Sequence, residues 1–195
     1  MIGKRESPTM MRVMVRALCG TVVLSLLLAV GVVDGTFAQA DREQRQRYGE
    51  WNTSCIAVGT SQQQCRVFQE RMYIDEQTGE ERPLIRTTIA KLGAGGELAL
   101  EFLFPYVRSQ RPLWLDLRQP LGLQVDQGEL LRVPYYFCNP VACRAVLELT
   151  QVGVAILKRG LMAQITVVTF QGGTLTIDAP LNGFTAAYRA AGLPE

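Results

Sequence analysis

Beyond residue 48 the chain is written in short runs of apolar and β-branched residues, separated by polar, Gly- or Pro-containing turns. "QCRVFQERMYI" (64–74) alternates and then meets the polar turn "DEQTGEERP". "LIRTTIAKL" (84–92) is rich in β-branched residues and faces "ELALEFLF" (97–104) across "LGAGGE", which reads as a hairpin turn. "LWLDL", "LGLQVD" and "LLRVPYYF" are short runs broken by Pro or Gly. "LMAQITVVTF" (161–170) and "GTLTIDA" (173–179) pair across "QGG". Two stretches carry helical character. One covers about 149–159, ending in Lys158, Arg159 and Gly160, which suit a helix C-terminus. The other covers about 182–191, with Asn182 as its expected N-cap. Many short strands at regular spacing predict a mainly β protein: a single-domain antiparallel β-sandwich or barrel with one or two short helices.

The first forty residues follow a different pattern. Lys4, Arg5, Arg12 and Arg16 precede an uncharged apolar run at 17–33, and small residues at Ala38 and Ala40 form an A-x-A site. That is the plan of a secretory signal peptide cleaved after Ala40. Cys19 lies at the start of the run, where it leaves with the peptide and is not a lipid anchor. The expected organisation is signal peptide 1–40, a flexible polar lead 41–47, and a β domain 48–195, with no membrane span after cleavage.

Removing the signal changes the charge. The chain has 20 basic and 18 acidic residues; four of the basic residues and two of the acidic (Glu6, Asp34) lie in residues 1–40, so the remainder is neutral. No basic stripe with interleaved aromatics is present, and nucleic-acid binding has no electrostatic support.

Four cysteines remain: Cys55, Cys65, Cys138 and Cys143. An exported chain with an even count favours disulfides. Three pairings are open. Each of the pairs 55–65 and 138–143 flanks a turn-like stretch between β-like runs, "IAVGTSQQQ" and "NPVA", and hairpin geometry favours these two staples. The spacings C-x₉-C and C-x₄-C fit neither a zinc ribbon nor a thioredoxin-like C-x-x-C site, so no cofactor or metal is expected.

The chain has no histidine. This removes Ser-His-Asp and Cys-His chemistry and any imidazole base. Asp116 and Asp126 are conceivable as a glycosidase-type acid/base pair, but each ends a short apolar run, where Asp commonly serves a turn. No phosphate loop, dinucleotide fingerprint or nucleophile elbow is present. Trp51, four residues before Cys55, and Phe184 after Gly183 read as core residues. Tyr106, Arg108, Arg111 and Trp114 are the candidate binding residues, because Tyr, Trp and Arg near turns are the usual interface anchors. A thiol-disulfide enzyme at Cys138 and Cys143, or a carbohydrate-active one, is the alternative.

Four pieces line up in order: "YGEWNTSC" (48–55), "CRVFQE" (65–70), "PLGLQVDQGELLRVPYYFCNPVACRAVLEL" (120–149) and "PLNGFTAAY" (180–188). Together they resemble the invasion-associated locus B family of Gram-negative bacteria. The stretch before Pro120 is less regular than the family's usual run, and Asn182 stands where serine or lysine is more usual. The resemblance implies an exported, disulfide-bonded, non-enzymatic protein of the cell envelope. Its partner, an envelope or host protein, is not named by any residue.

Overall fold

The computed structural model describes residues 43–58, 62–75, 78–92, 96–105 and 115–194. The expected signal peptide at 1–40 and the candidate binding residues Tyr106, Arg108, Arg111 and Trp114 lie outside the described residues. In chain order the elements are β1 (Gln44–Tyr48), β2 (Trp51–Val58), β3 (Gln62–Ile74), β4 (Glu81–Leu92), β5 (Glu97–Pro105), β6 (Leu121–Val125), β7 (Leu131–Val133), β8 (Tyr135–Cys138) and β9 (Ala142–Glu148). Then follow α1 (Gln151–Arg159), β10 (Met162–Val168), β11 (Thr174–Pro180) and α2 (Phe184–Ala190).

Two antiparallel sheets result. One has seven strands in the order β1-β2-β3-β4-β5-β9-β8, the other four in the order β11-β10-β6-β7. The run "LLRVPYYF" explains how they are joined. Pro134 has no N–H and cannot continue a ladder. The chain therefore pairs Leu131–Val133 with β6 in the smaller sheet, passes Pro134, and pairs Tyr135–Cys138 with β9 in the larger one. Inward residues of both sheets and both helices meet in one core that includes Val67, Ile85, Phe102, Val133, Ile165 and Phe184. Burying such side chains contributes roughly 1.5–3 kcal/mol each.

The helices close the sandwich. Thr150 caps α1 by accepting from the Gly153 N–H at 3.2 Å. Gly160 ends it, its N–H donating to Ile156 O at 2.9 Å. A Cβ on Gly160 would lie 2.4 Å from Val125 Cγ1 and 2.8 Å from Leu181 Cδ1, so close packing, not backbone conformation, requires glycine here. Thr185 Oγ1 donates to Lys158 O at 3.1 Å and ties α2 to α1.

Three expectations need correction. Residues 44–47, expected within a flexible lead, form β1 together with Tyr48 and pair with β2 from Gln44↔Cys55 to Tyr48↔Trp51. An edge strand open to solvent on both faces needs no apolar alternation, so "QRQRY" carries no strand signal. The N-cap of α2 is Gly183, not Asn182. Gly183 has φ +88°, and a Cβ there would stand 1.9 Å from Tyr48 O. The helix begins one residue late because the chain must first pass this close contact. Lastly, "LWLDL" yields no described strand: Leu115 makes an isolated bridge to Thr169, and 116–119 turn, with the Gln119 N–H donating to Asp116 O at 3.0 Å.

Candidate interaction surface

The two disulfides join residues directly opposite one another. Cys55 and Cys65 are register partners of β2 and β3, with Cα atoms 4.0 Å apart. Cys138 and Cys143 are partners of β8 and β9, 4.1 Å apart. The second hairpin is also tied at its turn. The Asn139 side chain accepts from the Val141 and Ala142 N–H groups at 2.8 and 2.9 Å, and the Asn139 N–H donates to Ala142 O at 3.0 Å. An asparagine before proline thus fixes a tight turn by its own side chain. The disulfide pins that turn to the end of the sheet.

This stapled hairpin carries the most exposed aromatic among the described residues, Tyr136. Tyr136 is 81 % exposed, Val141 70 % and Phe137 51 %. Leu130 and Leu131, on the approach to Pro134, are also exposed. This flank, residues 130–141, therefore includes five large apolar side chains that are exposed. There β7 ends the small sheet and β8 ends the large one. Around Tyr136 the β8–β9 register shifts, so the strand bulges. Phe137 stands opposite Arg144, whose guanidinium reaches Glu101 at 3.2 Å. Aromatic, aliphatic and arginine groups in one rigid setting match the residue preferences of protein interfaces.

Behind the flank, Tyr135 turns inward and meets Phe104 edge-on, with centroids 6.1 Å apart. Its hydroxyl is buried and finds no hydrogen-bond partner among the described residues. Burial pushes its pKa up to about 12.

The two carboxylates considered for hydrolysis are engaged elsewhere. Asp116 receives Arg118 Nε at 2.8 Å and Nη2 at 2.9 Å, and these bonds hold its pKa below the usual aspartate value. Asp126, at φ +51°, accepts the backbone N–H of Leu161 at 3.1 Å and of Met162 at 2.9 Å, closing the end of α1 onto β6. These are turn-closing roles. Among the described residues no group of three His, Cys, Asp or Glu could hold a metal ion, and no helix is long and apolar enough to cross a membrane.

Trp51, Gly183 and Phe184 form a closed latch between the sheets. Trp51 is buried, stacks edge-on against Phe184 at 5.0 Å, and donates from Nε1 to Pro180 O at 3.0 Å. Gln69 Nε2 donates to the same carbonyl at 2.9 Å. The Glu50 N–H donates to Asn182 O at 3.1 Å. This region is filled and offers no surface.

Sequence reasoning singled out the 106–114 segment and passed over 130–141. The last described residue before that segment, Pro105, pairs with Ala142 of the stapled hairpin. The missed signal was "YYF": three successive aromatics cannot all face inward from a strand of period two, so at least one must point to solvent.

Comparison with known proteins gives two results. A family model described as invasion associated locus B (IalB) protein matches residues 51–192. The fold is similar to the crystal structure of invasion associated protein B from Bartonella henselae, with a TM-score of 0.60 and 20 % identity over 76 % of this chain and 94 % of that one. No curated protein matches the chain.

Proposed function

This chain belongs to the invasion associated locus B family, and from that premise we propose that it is an exported cell-envelope protein that acts by binding. Its contact surface is the flank 130–141, and its partner is an envelope or host protein. Export rests on the basic start, the apolar run and the A-x-A site of residues 1–40, which we take to be a cleaved signal peptide. The two disulfides fit an oxidising compartment outside the cytoplasm. A binding role without catalysis fits the engagement of Asp116 by Arg118 and of Asp126 by backbone N–H groups.

The observation that carries the reading is the exposure of Tyr136, Phe137 and Val141 on a hairpin stapled by Cys138–Cys143. A fixed turn presents these groups with little ordering left to lose on binding. Tyr106, Arg108, Arg111 and Trp114 remain proposed contact residues on the strength of their residue types alone.

The test is the double variant Tyr136→Ser/Phe137→Ser. It should be exported and oxidised like the parent and melt within about 2 °C of it, because surface substitutions change stability little. It should lose the envelope or host protein that the parent retains on affinity capture. An unchanged partner profile would remove the flank from the proposal.

A further inference from the structure

The small sheet ends in β7 on one side and β11 on the other. Proteins guard such edges with charge, proline, a bulge or short length. β7 is three residues long and runs into Pro134; in the large sheet, β1 carries Arg45 and Arg47 and β8 is bulged. β11 has no proline, bulge or basic residue before its last position, Pro180. Its seven residues keep one unbroken register against β10, from Met162↔Pro180 to Val168↔Thr174. Its one charged side chain, Asp178, accepts from Gln164 Nε2 of β10 at 3.1 Å, across the sheet face and not at the edge.

The alternation of the ladder identifies the main-chain groups left over. At its two ends the Leu181 N–H donates to Leu161 O at 2.9 Å and the Thr169 N–H to Gly173 O at 2.8 Å. Antiparallel pairs alternate, so the odd-numbered residues of β11 bond to β10 and the even-numbered ones turn their N–H and C=O outward. Past Asp178 that outward row is used. Pro180 O accepts from Trp51 Nε1 and Gln69 Nε2, and Asn182 O accepts from the Glu50 N–H. The outward main-chain groups of Thr174, Thr176 and Asp178 have no partner among the described residues, and all three residues are exposed.

We propose that β11 joins a second copy of this chain, antiparallel, across a two-fold axis at Thr176. This register sets Thr176 against Thr176 and Thr174 against Asp178, and every open N–H and C=O on both strands finds a partner. Moving the axis one residue either way leaves Asp178 unpaired or sets Thr174 against Pro180, which has no N–H and whose carbonyl is already engaged. The charges agree with the register. Each Asp178 carboxylate stands opposite a threonine hydroxyl able to donate to it. The two Asp178 residues lie four positions apart along the joint, roughly 13 Å, beyond the screening length at physiological salt. On the inner face Leu175, half-buried in each copy, meets Ile177 of the other. The joint makes one sheet of two and lies at the opposite edge from β7, so it does not rest on the reading of the 130–141 flank.

The experiment is sedimentation equilibrium of the purified, oxidised protein. A single strand-to-strand contact is small, so the expected result is a reversible monomer–dimer equilibrium at micromolar concentrations. Thr176→Lys sets two like charges on the axis; it should melt like the parent and dimerise about tenfold more weakly or worse. The Tyr136→Ser/Phe137→Ser variant should dimerise like the parent. Cysteine crosslinking reads the register. The axis brings the two Cα atoms of position 176 to about 5.5 Å, within disulfide reach, so Thr176→Cys should give a disulfide-linked dimer. Thr174→Cys, whose opposite residue is Asp178, should not. A monomer at every concentration would overturn the proposal. So would a dimer that Thr176→Lys leaves unweakened, one that the Tyr136→Ser/Phe137→Ser variant abolishes, or one that crosslinks as well through position 174 as through 176.

Discussion

The large sheet ends in two very different strands. At one edge, β1 reads "QRQRY": polar throughout, exposed, and carrying Arg45 and Arg47. Glu43 gathers Arg45, Arg66 and Ser54 around it, and Arg47 Nε donates to Gly49 O at 2.9 Å. At the other edge, β8 reads "YYFC", with two exposed aromatics and no charge of its own. Edge strands offer unpaired backbone groups, and proteins normally blunt them with charge, proline or a bulge. The β1 edge is blunted by arginine. The β8 edge has the bulge, yet the bulge falls at Tyr136 and coincides with the most exposed aromatic among the described residues. An edge that keeps large apolar groups in water, on a hairpin pinned by a disulfide, fits the contact surface we propose.

The comparison can be broken most severely from the β1 side. Gly183→Ala should destabilise the protein by about 3 kcal/mol or more, because φ +88° disfavours alanine and its Cβ would overlap Tyr48 O at the β1–β2 turn. A thermal melt should fall by roughly 6 °C or more. Next come the staples. Loop entropy gives about 3 kcal/mol for Cys55–Cys65 and about 2 kcal/mol for Cys138–Cys143. Denaturant titration of the Cys→Ala pairs should show that order, and only the 138/143 pair should disturb partner capture.

Two smaller effects concern single ionisable groups, one near each edge. The Tyr135 hydroxyl has its pKa raised by burial, so its contribution is intact below about pH 10 and is lost as pH climbs towards 12. Tyr135→Phe should flatten that alkaline decline and leave neutral stability unchanged or slightly raised, since it removes an unpartnered buried group. Glu43 has its pKa lowered, so its contribution is intact above its ordinary value of 4.5 and is lost as pH falls towards 2. Glu43→Gln should reduce the acid sensitivity of amide exchange protection in β1 while leaving β8 untouched.

The architecture was legible because turn chemistry punctuates it. Gly, Asn-Pro and Pro134 mark hairpins and the change of sheet, and alternation marks half-buried strands such as β4 and β10. The pairing of the cysteines followed from the same turns. β1 was not legible: its contacts are polar, and its place depends on Glu43, Gly49 and Gly183, the last 134 positions beyond Gly49 in the chain. Gly183 illustrates the limit, since a packing so close that an added Cβ would stand 1.9 Å from Tyr48 O is a tertiary fact without a local pattern. The 130–141 flank was half legible. "YYF" signals outward aromatics, but only the sheet order places them on an edge.

The most direct measurement is site-specific photo-crosslinking in intact cells that export the protein, with benzoylphenylalanine placed at Phe137 of β8 or at Gln46 of β1. The account expects a discrete adduct with one envelope or host protein from position 137 and none from position 46. Equal labelling from both edges, or none from position 137, would contradict the claim that the stapled β8 hairpin is where this protein meets its partner.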